Sequence, residues 1–135
     1  TLADTEKVVA GLLNAQSKKQ LFIWSIFLKE LPDFAVGKFI PHAFNVSTKE
    51  MKIDYMVNKQ FWQKKIAVRT TKLVTDYLLN CVDVDRIVAE VVLDNIGSCK
   101  VVEKCGFVLE GTLRKSICWQ QVEDNSIYAI VRDNH

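Results

Sequence analysis

Apolar and polar positions alternate over residues 50–57, which sets Met51, Ile53, Tyr55 and Val57 on one face of a strand and Glu50, Lys52, Asp54 and Met56 on the other. A polar turn at 45–48 precedes this strand, and a basic turn at 58–65 follows it. From residue 65 the period changes to that of a helix running to about residue 80, with Ile66, Leu73, Val74, Tyr77 and Leu78 as its inward stripe. Residues 82–85 connect it to a nearly unbroken apolar strand at 86–93, the pattern of a strand buried on both faces. Asp94 and Asn95 can cap a short helix that carries Ser98, Val101, Val102 and Cys105 on one side, with Lys104 in its last turn and Gly106 as a left-handed stop. Two strands, 107–118 and 125–132, then form an antiparallel pair joined across 120–124.

Upstream, Thr1 with Asp4 fits a capping box, and Val8, Val9, Leu12 and Leu13 repeat on one face, so residues 2–16 read as an amphipathic helix. Residues 20–29, rich in aromatic and branched side chains, read as a strand. A turn around Leu31, Pro32 and Asp33 leads to a second strand at 34–40 that Pro41 closes. Helices interleaved with strands predict an α/β sandwich with a mixed sheet, without internal repeat or linker.

The length of 135 residues favours one domain, which at this size buries roughly 68–70% of the surface its unfolded chain exposes. Hydrophobic content of 49% and charged content of 25% are those of an ordinary globular protein, and no apolar run reaches the roughly eighteen residues of a membrane span. Cys81, Cys99, Cys105 and Cys118 show neither CxxC nor metal-ligand spacing, so no metal is expected, and reduced thiols in the cytoplasm are the simplest account. The start at Thr1 without a methionine suggests trimming at the amino end.

A net charge of +2 is too small to attract a polyanion by the whole-molecule field, so any anion binding must be local. One place supplies it: Lys59, Lys64, Lys65, Arg69 and Lys72 surround the start of the helix at 65 with no acidic residue between them. Cations there oppose the helix dipole at about 0.3–1 kcal/mol each, a cost that makes sense if the free N–H groups of the first turn and the ammonium groups share a phosphate. A solvated basic face is the plainer alternative.

The run Asn95-Ile96-Gly97-Ser98, followed by Glu103-Lys104-Cys105-Gly106-Phe107 and Glu110-Gly111-Thr112-Leu113-Arg114, resembles the GNAT superfamily of acyl-CoA-dependent N-acetyltransferases. Within it, the closest likeness is to the ribosomal-protein alanine N-acetyltransferase branch. Gly37, Tyr55 with Phe61-Trp62, and Asp124 with Tyr128 are similar to that pattern as well. The resemblance implies a mixed, mostly antiparallel sheet with splayed central strands, flanked by helices, in one domain spanning 1–135 that lacks the branch's first strand and helix. It implies that Met56 and Val57 present backbone groups to the pantetheine arm of acetyl-CoA. It also implies that the amides of Lys64, Lys65, Ile66, Ala67 and Val68 cradle the pyrophosphate. The family's turn glycines are replaced here by Gln63 and Lys65, which either obstruct the cradle or, through the Lys65 ammonium, compensate for the loss.

Acetyl transfer needs a neutral amine, a stabilised oxyanion and a proton source for the thiolate. A backbone N–H near Val57 can meet the oxyanion, and the resemblance implies Ser98 as the side chain near the sulfur, to hold the thiolate or relay a proton, with a helix serine bonded to an upstream carbonyl as the plain alternative. Asn95 reads as a cap, a ligand to cofactor and water, or both. The tyrosine acid that many superfamily members place one turn beyond is Val102 here, and Lys52 stands where many relatives carry a strand carboxylate. Neither His42 nor His135 sits in a recognisable base position. Without a strong base an α-amine of pKa about 7.8, roughly one-seventh neutral at pH 7, is a better acceptor than a lysine amine, neutral in about one molecule in 2,500. The expected acceptor is therefore a protein or peptide N-terminus, ribosomal by resemblance, and the chain a monomer or homodimer without membrane partners. A non-catalytic acyl-CoA-binding domain is the second reading, and a nucleic-acid module using Phe61 and Trp62 is the third. Trp24, Trp62 and Trp119 read as packing or surface-edge residues, not a ligand cage, and Glu110 with Arg114 as a structural pair within one strand.

Overall fold

A computed structural model describes residues 11–12, 23–62, 65–118 and 121–132. Its strands are β1 (Gly11–Leu12), β2 (Trp24–Leu28), β3 (Leu31–Asn45), β4 (Glu50–Val57), β5 (Arg86–Val92), β6 (Val108–Cys118) and β7 (Gln121–Val131). They form one seven-stranded sheet in the order β1-β2-β3-β4-β5-β7-β6. Every adjacent pair is antiparallel except β4 and β5, which are parallel and therefore need the crossover that helix α1 (Ile66–Cys81) supplies. Helix α2 (Ile96–Lys104) follows β5.

Alternation along the strands divides the sheet into two unlike faces. On one, Phe39, Met51, Ile53, Ile87 and Ala89 are buried in a single cluster with Ile66, Val74 and Leu78 of α1 and Val102 of α2. The other carries paired charges: Arg86 reaches Glu50 at 2.8 Å, Lys52 reaches Glu90 at 3.1 Å, and His42 Nε2 lies 2.7 Å from Asp54. Arg86 also grips Glu110 with both terminal nitrogens, at 2.9 and 2.6 Å. Glu110 thus pairs across strands with Arg86 and not with Arg114, because a bulge between Leu109 and Gly111 shifts β6 against β7 there.

Several boundaries differ from the pattern-based expectation. Gly11 and Leu12, expected in a helix, are extended and pair with Ser25 and Trp24; glycine weakens a helix interior, and β2 offers an open ladder edge. The rest of the helix expected over 2–16 lies outside the described residues. The turn after β2 falls at Lys29–Glu30, so β3 already begins at Leu31. Pro41 does not close β3 but pairs with Ile53 inside it. Asn58 N–H donates to the Val36 carbonyl, so even positions of β3 face β4 while the proline nitrogen faces the β2 side, beyond Trp24–Phe39, the last pair among the described residues, and breaks no bond of the β3–β4 ladder. The inward face of α1 is filled by Thr70, Thr71 and Thr75 between Ile66, Val74 and Leu78, whereas Leu73 and Tyr77 are exposed. Tyr77 instead meets Trp24 edge to face. Strand β7 begins at Gln121, four residues earlier than expected, because Cys118 and Gln121 already pair.

Candidate active site

The site begins where the sheet opens. Strands β4 and β5 pair only over Glu50–Arg86, Met51–Ile87 and Lys52–Val88. Beyond that point β4 stays paired with β3 as far as Val57, and β5 stays paired with β7 as far as Val92, so each strand follows its outer neighbour and a gap opens between them. Ladder alternation turns the backbone groups of Ile53, Tyr55 and Val57 toward that gap. The Val57 carbonyl is already taken by the Trp62 indole N–H at 2.7 Å. Gly37 lets β3 press against this edge: a Cβ there would lie 2.3 Å from the Met56 carbonyl oxygen.

A cavity of about 560 Å³ runs from the gap to the start of α1, within the usual size range of small-molecule sites. Tyr55, Met56, Val57, Phe61, Trp62, Lys65, Ile66, Ala67 and Val68 line one side, and Asn95, Gly97, Ser98, Val101 and Lys104 of α2 line the other. At its α1 end, the first intrahelical bond runs from Arg69 N–H to the Lys65 carbonyl. The N–H groups of Ile66, Ala67 and Val68 therefore precede the helical ladder, and the first turn holds neither a side-chain cap nor an acidic residue. Lys65 itself is left-handed, with φ 61° and ψ 19°, so the conformation that a turn glycine adopts freely is retained here by a lysine. Exposed N–H groups, a positive dipole end and the ammonium groups of Lys65 and Lys104 give this end of the cavity the chemistry of an anion cradle.

A second, smaller cavity of about 100 Å³ occupies the gap itself, between Ile53, Asp54 and Tyr55 of β4 and Ala89–Val92 of β5. Tyr55, Asn95 and Ser98 line both cavities and so stand at their junction. Asn95 is an N-cap: its side-chain oxygen accepts from Ser98 N–H at 3.1 Å, which fixes the first turn of α2. Ser98 thus points from the first turn of a capped helix, and its hydroxyl makes no bond to an upstream carbonyl among the described residues. The Tyr55 ring stacks on Phe39, with centroids 6.1 Å apart and planes 15° from parallel, and its hydroxyl is sequestered from solvent without a hydrogen-bond partner. Burial pushes that hydroxyl up to about 12; the neighbouring Ser98 side chain opposes the rise, although the two hydroxyls do not meet at hydrogen-bond geometry.

Residues 1–108 match the family model of the acetyltransferase (GNAT) domain. The chain belongs to the GNAT family. A probable N-acetyltransferase of Bacillus subtilis, YjcK, is 38% identical over 80 residues, which are 58% of this chain and 44% of that protein. The ribosomal-protein alanine acetyltransferase of Vibrio fischeri superposes with a TM-score of 0.78 at 20% identity, over 85% of this chain and 63% of that one. The microcin C7 self-immunity acetyltransferase MccE, solved with acetyl-CoA and AMP, gives a TM-score of 0.74 at 25% identity, over 83% of this chain and 61% of that one. The chain thus spans 44% to 63% of the length of these relatives. Among the described residues of this GNAT chain, no helix is long and apolar enough to cross a membrane.

The residues expected to bind a cofactor fall together. Met56, Val57, Lys65, Ile66, Ala67, Val68, Asn95 and Ser98 all line the larger cavity, while Lys64 and Gln63 lie outside the described residues. The GNAT pattern residues Asp124 and Tyr128 are structural by geometry: Asp124 accepts from Lys115 N–H, and the Tyr128 hydroxyl bonds Glu103 at 2.8 Å. Glu50 and Asp54 pair with Arg86 and His42, and Lys52 with Glu90. Six lining residues, Tyr55, Phe61, Trp62, Gly97, Val101 and Lys104, lie outside the expected cofactor set. Lys104 was legible, because Gly97, Val101 and Lys104 recur at helical spacing on one stripe of α2. Trp62, expected as packing or surface edge, is 58% exposed, holds the Val57 carbonyl and walls the cavity. Tyr55 lies on the buried face of β4, and strand alternation alone cannot show that this face opens onto a gap.

Proposed function

We infer that this chain is an acetyl-CoA-dependent N-acetyltransferase that acts in a ternary complex on a primary amine, and that the amine is a protein or peptide N-terminal α-amine. The parting of β4 from β5 after Lys52 and Val88 carries this reading, because it leads from an uncapped, lysine-flanked helix start to the junction at Ser98 and Asn95 through one cavity. Acetyl-CoA would supply the acetyl thioester. The amides of Ile66, Ala67 and Val68, with Lys65 and Lys104, would hold the diphosphate, and the edge of β4 at Tyr55 and Val57 would hold the pantetheine arm; contrary to expectation the Met56 backbone is not offered to it, because it faces Lys38 of β3 in the ladder. Val57 N–H would orient the carbonyl, and Ser98 Oγ–H would stabilise the departing thiolate. The residues present fit the group: a cavity of the right size, anion donors at one end and a hydroxyl at the other.

The α-amine preference follows from the groups at the gap. Its charged neighbours are already paired, Asp54 with His42 and Glu90 with Lys52, so no free carboxylate or imidazole among the described residues stands ready to deprotonate a lysine. An α-amine reaches its neutral form in water about 350 times more often at pH 7. The setting that fits is the cytoplasm. The test is thiol release from acetyl-CoA with a free-N-terminus peptide and with an Nα-blocked lysine peptide. Faster turnover on the first is expected; equal or faster turnover on the second overturns the acceptor assignment. Tight acetyl-CoA binding without thiol release on any amine favours the non-catalytic reading.

A further inference from the structure

Tyr55 has a hydroxyl that the fold leaves unused. It is buried without a partner at the junction of the two cavities, beside Ser98, and its ring is held by Phe39. An unpartnered buried hydroxyl costs stability unless something in a working state satisfies it. The helix position one turn beyond Ser98 cannot do so, because Val102 has no hydrogen-bonding group and is buried in the core. We propose that Tyr55 is a positioning residue for Ser98: its O–H donates to Ser98 Oγ when Ser98 turns its own O–H toward the departing thiolate, so that the two hydroxyls form a short chain ending at the sulfur. This rests on the transferase reading.

The direction of donation is set by chemistry. Burial holds the Tyr55 proton far more firmly than a thiol holds its own, and Cys99, Cys105 and Asp54, the other titratable groups that face it, raise it further. Tyr55 therefore keeps its proton and donates a hydrogen bond; it does not become the acid that protonates sulfur. When the C–S bond breaks, the electron pair goes to sulfur, Ser98 and Tyr55 lower the energy of that charge, and the proton lost by the attacking amine leaves by way of solvent.

The experiment uses Tyr55→Phe and Ser98→Ala, singly and together. In thiol-release assays Tyr55→Phe should lower kcat roughly 10- to 100-fold with KM for acetyl-CoA unchanged, the size of one hydrogen bond to a developing charge. In the Ser98→Ala background the same change should cost less than about twofold, because the chain is already cut. A readout without turnover is calorimetric binding of coenzyme A against desulfo-coenzyme A at pH 9, where a thiol of pKa about 8.5 is mostly ionised. The wild-type chain should prefer the thiol form by about tenfold, and Tyr55→Phe should reduce that to less than about threefold. Tyr55→Phe removes an atom with no partner in the free chain, so its melting temperature should equal or exceed the wild type, and a fall would contradict the premise. Wild-type kcat and wild-type thiol preference in Tyr55→Phe, or additive effects of the two substitutions, overturn the assignment and leave the transferase reading intact. A wild-type chain that binds coenzyme A but acetylates no amine overturns both.

Discussion

Replacing Lys65 by glycine separates two effects that the wild-type residue combines. At φ 61° a side chain costs about 1–2 kcal/mol relative to the ordinary helical region, whereas glycine adopts that conformation freely. Glycine gives back about 0.5–1 kcal/mol through the greater freedom of its unfolded chain. The net for Lys65→Gly is a stabilisation of about 0.5–1 kcal/mol. With an unfolding entropy of about 2.1 cal/mol/K per residue, a 135-residue domain gains roughly 3.5 °C per kcal/mol, so the melting temperature should rise by about 2–4 °C. The ammonium, however, leaves the cavity it lines. Acetyl-CoA should then bind about 2- to 10-fold more weakly, the range for loss of one cation at a partly exposed helix start. Lys65→Ala keeps the left-handed strain and loses the charge, so it should show the weaker binding and at most the roughly 0.3–1 kcal/mol released when one cation leaves the helix start, and should melt below Lys65→Gly. Thermal melts and calorimetric titrations of the three chains decide the matter. A lower melting temperature for Lys65→Gly would refute the strain argument, and unchanged affinity in both variants would show that the Lys65 ammonium does not touch the ligand.

Other positions make narrower predictions. Gly37→Ala brings a Cβ against the Met56 carbonyl oxygen, so it should destabilise the fold by about 1–3 kcal/mol in denaturant titrations and weaken acetyl-CoA binding as the β4 edge shifts. Asn95→Ala removes the cap on Ser98 N–H and should cost about 1 kcal/mol, while Asn95→Ser restores most of that stability; equal stability of all three would remove the cap from the account. Glu110 is held below the usual carboxylate range chiefly by its bonds from Arg86. A depressed folded-state pKa contributes stability above the unfolded value that is lost as pH falls through the folded one, so Glu110→Gln should flatten the acid side of the stability curve and leave its alkaline side alone.

Much of this architecture is local and therefore legible in the chain. The β4 alternation, the α1 start at 65–66, the Asn95 cap and the Gly106 stop at φ 94° each follow from side chains a few residues apart. Pairing is not local, and the departures cluster there. Pro41 stays in β3 because its nitrogen faces away from the β4 ladder, and Glu110 meets Arg86 because three strands bring them together. The threonine-lined inner face of α1 escaped because hydropathy ranks Leu73 and Tyr77 above Thr70, Thr71 and Thr75, whereas the angle at which the helix meets the sheet decides which of them is buried. At the site, the lysines around an α1 start without acidic residues announce an anion through simple electrostatics. The gap that gives Tyr55 its position is a property of register, where two strands stop pairing, and no single stretch of sequence records it.

The claim on which the rest depends is that the start of α1 and its flanking lysines hold a diphosphate. Calorimetric titration with acetyl-CoA and with S-acetylpantetheine, which lacks the diphosphate and nucleotide, tests it directly. Binding of acetyl-CoA tighter by on the order of a hundredfold, falling as salt rises, is the expected result. Equal affinity for the two thioesters would contradict it.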